Sequence, residues 1–467
     1  MTIQAALPGA ATAEQRASPW PTFWIASIAV LLVSIDTTVL YAAFGALRQG
    51  FPAASPADLS WVLNAYTVTY AAMLIPAGGL ADVHGRKRMF LLGAAIFLLG
   101  SGACGAAGSI DMLIAARVVQ AVGAALLTPA SLSLILDAFP QNKRAVAVSL
   151  WGAVGGMAAA IGPSLGSLIV DSMGWQWAFY INLPIGAVSL VLGYARLKES
   201  RIPGKVQHVD LPGMLLLVFS VGAAALAMTQ SESPEWSRAT IQAIAVAAAL
   251  ALLAFVAWAA RARHPLVDLN LFRSPTYSAV NLATLSFSMA FSMMFFAFFS
   301  YMTLIWNYSL PLAGIAVTPG PLLVVPTAII SGRFAARIGH RPGLVIGSLV
   351  YAASGLWLAL VPGTTPAYWT EWFPGLILSG IGVGMVLPSL SGAATARLPQ
   401  NQYGVGSAVN QAVRQIGSVL GVALTVMLIG HDALARADFT TLYLLHAALA
   451  LVTCVFCLPV NTRPRTQ

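Results

Sequence analysis

Asp36 lies near the middle of WIASIAVLLVSIDTTVLYAAFGAL, residues 24–47, which is otherwise almost wholly apolar. A run of that length reads as a membrane span. A carboxylate at the centre of a span costs roughly 3 kcal/mol on insertion scales. Arg117 is a second charge of this kind, inside DMLIAARVVQAVGAALLTPASLSLIL, residues 111–136. At 1.5 Å of rise per residue, Asp36 is ~15 Å from the end of its helix and Arg117 ~8–10 Å from the same face. An arginine side chain can bridge that difference. Such a pair serves either as a structural ion pair or as a proton site, its affinity set by the opposing effects of burial and arginine. Of the 15 acids, Asp36 alone falls deep in a span. Asp137 and Asp82 are the next candidates, near one face. His446, also within a span, reads as a packed polar residue rather than a proton carrier.

The elements that position these groups are apolar helices. The chain is 58% hydrophobic and 8% charged, too few charges to cover a soluble protein of 467 residues. Fourteen spans are expected, at about 21–46, 61–80, 89–107, 112–136, 145–169, 176–196, 211–229, 239–260, 276–305, 311–334, 342–361, 372–395, 405–430 and 439–460. With both termini on one face, nineteen of the 24 Lys and Arg fall on that face. Three fall opposite (Arg48, Arg238, Arg436) and two fall within spans (Arg117, Arg414). The asymmetry places both termini in the cytoplasm of a multi-pass inner (cytoplasmic) membrane protein. It also accounts for the net charge of +9 as a topology signal facing anionic lipid, with no nucleic-acid partner. No cleavable signal peptide is read before the first span. Cys454 and Cys457 lie in an apolar run without a second ligand pair, so no metal site or cofactor is expected.

The chain repeats itself. GGLADVHGRKRMFLLG (78–93) aligns without gaps on GRFAARIGHRPGLVIG (332–347), placing Gly78, Gly85 and Gly93 on Gly332, Gly339 and Gly347. Gly162 and Gly166 fall likewise on Gly417 and Gly421, and GAALLTP (123–129) resembles GVGMVLP (382–388). Parallel repeats of six helices follow. The expected organisation is a cytoplasmic tail (1–20), a six-helix bundle (21–200), a linker carrying two extra transmembrane helices (201–270), a second six-helix bundle (271–460) and a short tail (461–467). The fold class is therefore an all-α integral membrane protein of two six-helix bundles plus two additional central helices.

Several stretches carry candidate function. In GGLADVHGRKRM, Gly78, Asp82, Gly85, Arg86 and Lys87 form a Gly-bounded turn whose order exceeds what a generic basic loop needs; Asp82 is within reach of Arg86 or Lys87. No Walker A string occurs, which argues against direct ATP drive. Gly156, Gly162 and Gly166, with the helix-bending Pro163, allow close backbone approach. Asn410, Gln411 and Arg414 make a polar stripe, read either as cavity lining or as interhelical hydrogen bonding. LSFSMAFSMMFFAFFSYM (285–302) is dense in Phe and Met, either packing surface or an adaptable pocket wall.

The loop at 78–89 resembles the signature of the major facilitator superfamily between helices 2 and 3. LIAARVVQAVGAA (113–125) resembles its helix 4 motif, with Arg117, Gln120 and Gly123 matched and Ala121 in place of a usual Gly. GMAAAIGPSLGSL (156–168) is similar to the antiporter motif of helix 5, with Ser167 in place of a second Gly. WQWAFYINLPIG (175–186) and IDTTVLYAAFGAL resemble the fourteen-helix drug:proton antiporter branch, except that Tyr41 replaces an Asn and Gly45 a Pro.

The resemblance implies a major-facilitator-type fold and no enzymatic activity. It implies a proton-coupled multidrug exporter that moves lipophilic, often cationic compounds by alternating access. Asp36 and Arg117 would couple protons on a central cavity formed with helices 1 and 4, and substrate would compete with the proton. The helix 5 glycines would seal the interface between bundles. Thr37, Tyr41, Gln120, Asn281, Phe287, Phe291, Asn410 and Arg414 are the candidate cavity residues. A monomer in the bilayer is expected, with the proton as coupling ion. A dedicated exporter of one metabolite, such as a siderophore or endogenous antibiotic, is the alternative; a non-transporting receptor or scaffold is a remote one.

Overall fold

A computed structural model describes residues 18–140, 143–201, 208–231, 236–398, 403–429 and 435–462; both expected tails fall largely outside that range. The described chain is helical throughout. The first group of helices is α1 (Trp20–Gly50), α2 (Pro56–His84), α3 (Arg86–Gly105), α4 (Ile110–Ala138), α5 (Arg144–Met173) and the broken pair α6 (Trp177–Tyr180) and α7 (Asn182–Arg196). Two further helices follow, α8 (Leu211–Thr229) and α9 (Arg238–Ala259). The second group is α10 (Pro275–Leu304), the pair α11 (Leu310–Val317) and α12 (Pro319–Ile338), α13 (Arg341–Leu360), α14 (Phe373–Thr395), α15 (Tyr403–Ile429) and α16 (Arg436–Cys457).

Local chemistry sets many of these boundaries. Ser55 caps α2 reciprocally with Asp58, and the Ser109, Ser237 and Ser274 hydroxyls accept the first free N–H groups of α4, α9 and α10. Between α2 and α3 the chain turns at Gly85 (φ 109°), and between α12 and α13 at Gly339 (φ 84°). Both equivalent loops thus need the left-handed conformation that glycine adopts freely.

Twelve helical segments among the described residues are long and apolar enough to cross a membrane. The protein is therefore a multi-pass membrane protein. Twelve of the fourteen expected spans are matched by these segments. Helices α2 and α5, at 29 and 30 residues, match the second and fifth expected spans in place but are not among the twelve.

The internal repeat is realised in packing. In the first group α3 packs on α4, α2 on α4, α1 on α5, and α7 on α3 and α1. In the second, α13 packs on α14, α12 on α14, α10 on α15, and α16 on α13 and α10. The repeated glycines explain the close pairs. A Cβ on Gly93 would lie 2.7 Å from the Leu127 backbone nitrogen, and one on Gly347 would lie 2.7 Å from the Met385 Cβ. The two halves meet along two seams, α2 with α15 and α5 with α11 and α12. The α8–α9 hairpin is tied by Ser220 Oγ donating to the Ala248 carbonyl at 3.0 Å. Asp210 closes its base by accepting from Gly213 N, Trp258 Nε1 and Leu266 N at 2.7–2.9 Å. Its outer contacts are chiefly α8 against α2 and against α15.

Candidate functional site

The pair anticipated from helix rise forms: Arg117 Nη1 donates to Asp36 Oδ2 at 2.7 Å, and both side chains are sealed from solvent. The surroundings make it more than a pair. Gln120 Nε2 donates to Asp36 Oδ1 at 2.8 Å and Asn182 Nδ2 donates to the same oxygen at 3.0 Å. Arg117 Nε donates to the Val62 carbonyl at 2.9 Å, and its Nη1 also donates to Gln120 Oε1 at 2.6 Å. Ser101 Oγ accepts from Gln120 and Asn182 and donates to the Phe179 carbonyl. The guanidinium lies 4.0 Å from the Tyr66 ring centroid. A buried charge is tolerable only when paired and saturated with hydrogen bonds; here one carboxylate accepts three donors drawn from α4 and α7.

This placement corrects two expectations. The cluster lies inside the first bundle and is closed off, so Asp36 and Arg117 do not line an open central cavity. Gln120, expected in the cavity, is instead a direct donor to Asp36. Asn182 is the residue that sequence reasoning passed over. It stands in WQWAFYINLPIG, and an amide in an otherwise apolar span was the signal.

The other candidates separate by face. Tyr41 lies five residues along α1 from Asp36 and reaches the second bundle, with its ring 5.5 Å from Phe295 and 6.5 Å from Phe296. Phe44 and Phe296 are 4.7 Å apart. These rings close the contact of α1 with α10 at the end away from the basic loops. Phe291 is partly buried beside Phe295. Thr37 is half-buried and donates to its own helix at Val33 O. Phe287 is a correction: it is fully buried against Tyr351 within the second bundle. Asn281 and Asn410 are another, because Asn410 Nδ2 donates to Asn281 Oδ1 at 3.1 Å and to Thr284 Oγ1 at 2.9 Å. They tie α10 to α15 and are buried. Arg414 is half-buried near the middle of α15, with Tyr70 of α2 as its charge-sensing neighbour. His446 is fully buried between the Ala290 and Tyr351 carbonyls, as a packed polar residue should be.

The glycines of α5 also change role. Gly162 lies against Thr38 and Gly166 against Val39, both on α1 of the same bundle. Their repeat partners Gly417 and Gly421 lie against Leu285 and Met289 of α10. The pair therefore brings α5 onto α1, and α15 onto α10, rather than sealing one half against the other. The seam falls to the other side of α5, where Pro163 and Ser167 meet Gly314, and the Ser164 hydroxyl is hydrogen-bonded to Thr318. Gly156 lies in α5, but its surroundings are outside the described residues.

The loop joining α2 and α3 is a charge network confined to the first bundle. Arg86 donates to Asp82 at 2.9 and 3.2 Å and pairs with Asp137 of α4. Ser200 Oγ donates to Asp137 at 2.6 Å. Glu199 accepts from the backbone N–H groups of Lys87 and Arg88 at 3.0 and 3.1 Å, capping α3. It occupies the space that a Cβ on Gly85 would take, whereas one on Gly78 would meet only Pro129 at an ordinary 3.7 Å. Lys87 does not join Asp82; its Nζ donates to the Tyr194 carbonyl at 2.7 Å. Among the described residues no group of three or more His, Cys, Asp or Glu could hold a metal.

The chain is similar to known transport proteins. It is 31% identical over 88% of its length, and 76% of the relative's, to the tetracenomycin C resistance and export protein of Streptomyces glaucescens. It is 31% identical to the multidrug resistance protein Stp of Mycobacterium tuberculosis over 85% of this chain and 73% of that one. The inward-open xylose transporter XylE of Escherichia coli superposes with a TM-score of 0.68 over 96% of this chain and 98% of that one, at 13% identity. The family profile described as Major Facilitator Superfamily matches residues 26–422 and 280–467. With the paired six-helix packing already described, these matches make the chain a member of the major facilitator superfamily.

Proposed function

We propose that the protein is a proton-driven exporter of lipophilic small molecules, working by alternating access, with its basic face in the cytoplasm. The observation that carries the reading is the sealed cluster of Asp36, Arg117, Gln120 and Asn182. Deprotonated Asp36 holds α1, α4 and α7 together. A proton on it removes the counter-charge of a buried arginine, and disrupting a buried pair costs about 3–5 kcal/mol. Carrying a two-state equilibrium from 1:99 to 99:1 takes about 5.5 kcal/mol. One protonation therefore supplies a large part of the free energy such a switch takes. Helix α1 is the natural transmitter, since it carries Asp36 into the cluster and Tyr41 onto α10. The proton then acts through α1 rather than by direct competition with substrate. In this reading α2 and α5 also cross the bilayer, completing fourteen spans.

The named relatives include a single-antibiotic exporter and a multidrug protein. A dedicated exporter of one metabolite therefore stands as the second reading. Growth inhibition by a broad antimicrobial panel in a pump-deficient host separates the two by the number of compounds excluded. The same panel tests the coupling. Asp36→Asn, present at wild-type abundance in the membrane, is expected to lose all protection. Full protection by that variant would refute the proton role.

A further inference from the structure

Arg414 is the one described basic residue at mid-depth that is left without a counter-ion. It is the twelfth of 27 residues in α15, and Tyr70, its neighbour across the seam, is the central residue of α2. Among the described residues Arg414 has no ion pair, no hydrogen bond and no aromatic face beneath it; its electrostatic neighbour is Tyr70. The residue is only half-buried, and its nitrogens are not sealed from solvent. The guanidinium therefore opens into accessible space where the two bundles meet. Tyr70 Oη, bonded to Thr128 Oγ1 at 3.2 Å, and the neighbouring Gln411 side chain add neutral polar groups beside it.

The distribution of acids makes this charge decisive. Ten of the eleven described acids stand within a turn of a helix end or in loops. The eleventh, Asp36, is closed inside the first bundle by three donors. Among the described residues, mid-depth between the bundles thus offers a ligand one cation and no free carboxylate. An organic cation placed there would meet like charge in a low-dielectric site, whereas a carboxylate, sulfonate or ionised phenol would meet a planar guanidinium with unused N–H donors.

We infer that Arg414 is the counter-ion of the substrate site and that the preferred substrates are amphipathic organic anions. This deepens the exporter reading above and rests on it. It reverses the cationic preference expected from sequence resemblance.

The test compares two xanthene dyes of similar shape, anionic fluorescein and cationic tetramethylrhodamine methyl ester, binding to the purified full-length protein in detergent by fluorescence anisotropy. Wild type is expected to bind fluorescein more tightly. Arg414→Gln should weaken fluorescein roughly ten- to 100-fold, the worth of one charge-assisted contact, while leaving the rhodamine ester unweakened. Arg414→Lys should retain part of the preference, and it serves as the folded control if the glutamine variant is not monodisperse. Fluorescein affinity equal to or below that of the rhodamine ester, including binding of neither, overturns the assignment. Fluorescein transport in proteoliposomes under an imposed pH gradient then tests the exporter reading separately. Binding without gradient-driven transport would overturn that reading and leave the anion site standing.

Discussion

Replacing Asp36 by asparagine strands Arg117 in the first bundle. In the native protein the carboxylate accepts from Arg117 at 2.7 Å, Gln120 at 2.8 Å and Asn182 at 3.0 Å. An asparagine keeps one carbonyl acceptor and turns an amide N–H toward a donor. Removing one member of a buried pair costs about 3–5 kcal/mol. At roughly 2–4 °C per kcal/mol for a unit the size of one bundle, the melting temperature falls by roughly 6–20 °C. Arg117→Gln alone is expected to cost a similar amount, since it leaves the carboxylate without its cation. The double variant removes both charges, so the two losses should not add; a coupling energy of about 1–3 kcal/mol is expected. The assay is thermal unfolding of the four proteins in detergent, followed by tryptophan fluorescence, with pH-gradient-driven transport measured in parallel. The double variant should recover stability but not transport. Losses additive to within about 0.5 kcal/mol would refute the cluster as the site's energetic centre.

Three further outcomes are expected. Gly417→Ala places a Cβ 2.6 Å from the Leu285 carbonyl oxygen; forcing α15 away from α10 should cost about 1–3 kcal/mol, read from the thermal midpoint. Cysteines at Ser164 and Thr318, which touch across the seam, should cross-link under oxidant and stop transport until reduced; a cross-linked protein that still turns over would show that this seam does not move. His340, in the loop before α13, has its pKa lowered from 6.5 by burial. The unfolded chain thus takes up a proton that the folded one resists, and stability should decline as pH drops below about 6.5. His340→Phe should flatten that decline in a series of melts at stepped pH.

Axial position was legible in the sequence and azimuth was not. Helix rise put Asp36 within reach of Arg117, and fixed offsets paired Gly85 with Gly339 and Gly162 with Gly417. The side of the helix that each residue shows could not be read. In a soluble protein the polar stripe marks the outer face, but here lipid-facing and core-facing positions are both apolar. Leu99 is widely exposed and Phe97 is fully buried two residues earlier, and nothing in their types distinguishes them. From sequence alone Gln120 therefore reads as a cavity residue although it faces Asp36, Phe287 as a pocket wall although it is core, and the α5 glycines as facing the other half although they face α1. Asn182 escaped because its value depends on convergence with α1, α3 and α4, which no local pattern encodes.

The α8–α9 hairpin gives the molecule a front and a back. The helices of the two repeats pack alike, and each repeat contributes one helix or helix pair to each of two equivalent seams. The hairpin's chief partners are α2 and α15, so it covers one seam and leaves the seam of α5 with α11 and α12 uncovered. The two seams are therefore unlike, one covered by an apolar hairpin and one bare. Under the exporter reading, lateral entry of a lipophile is expected from the bare side, which would make an internally repeated protein directional within the plane of the membrane.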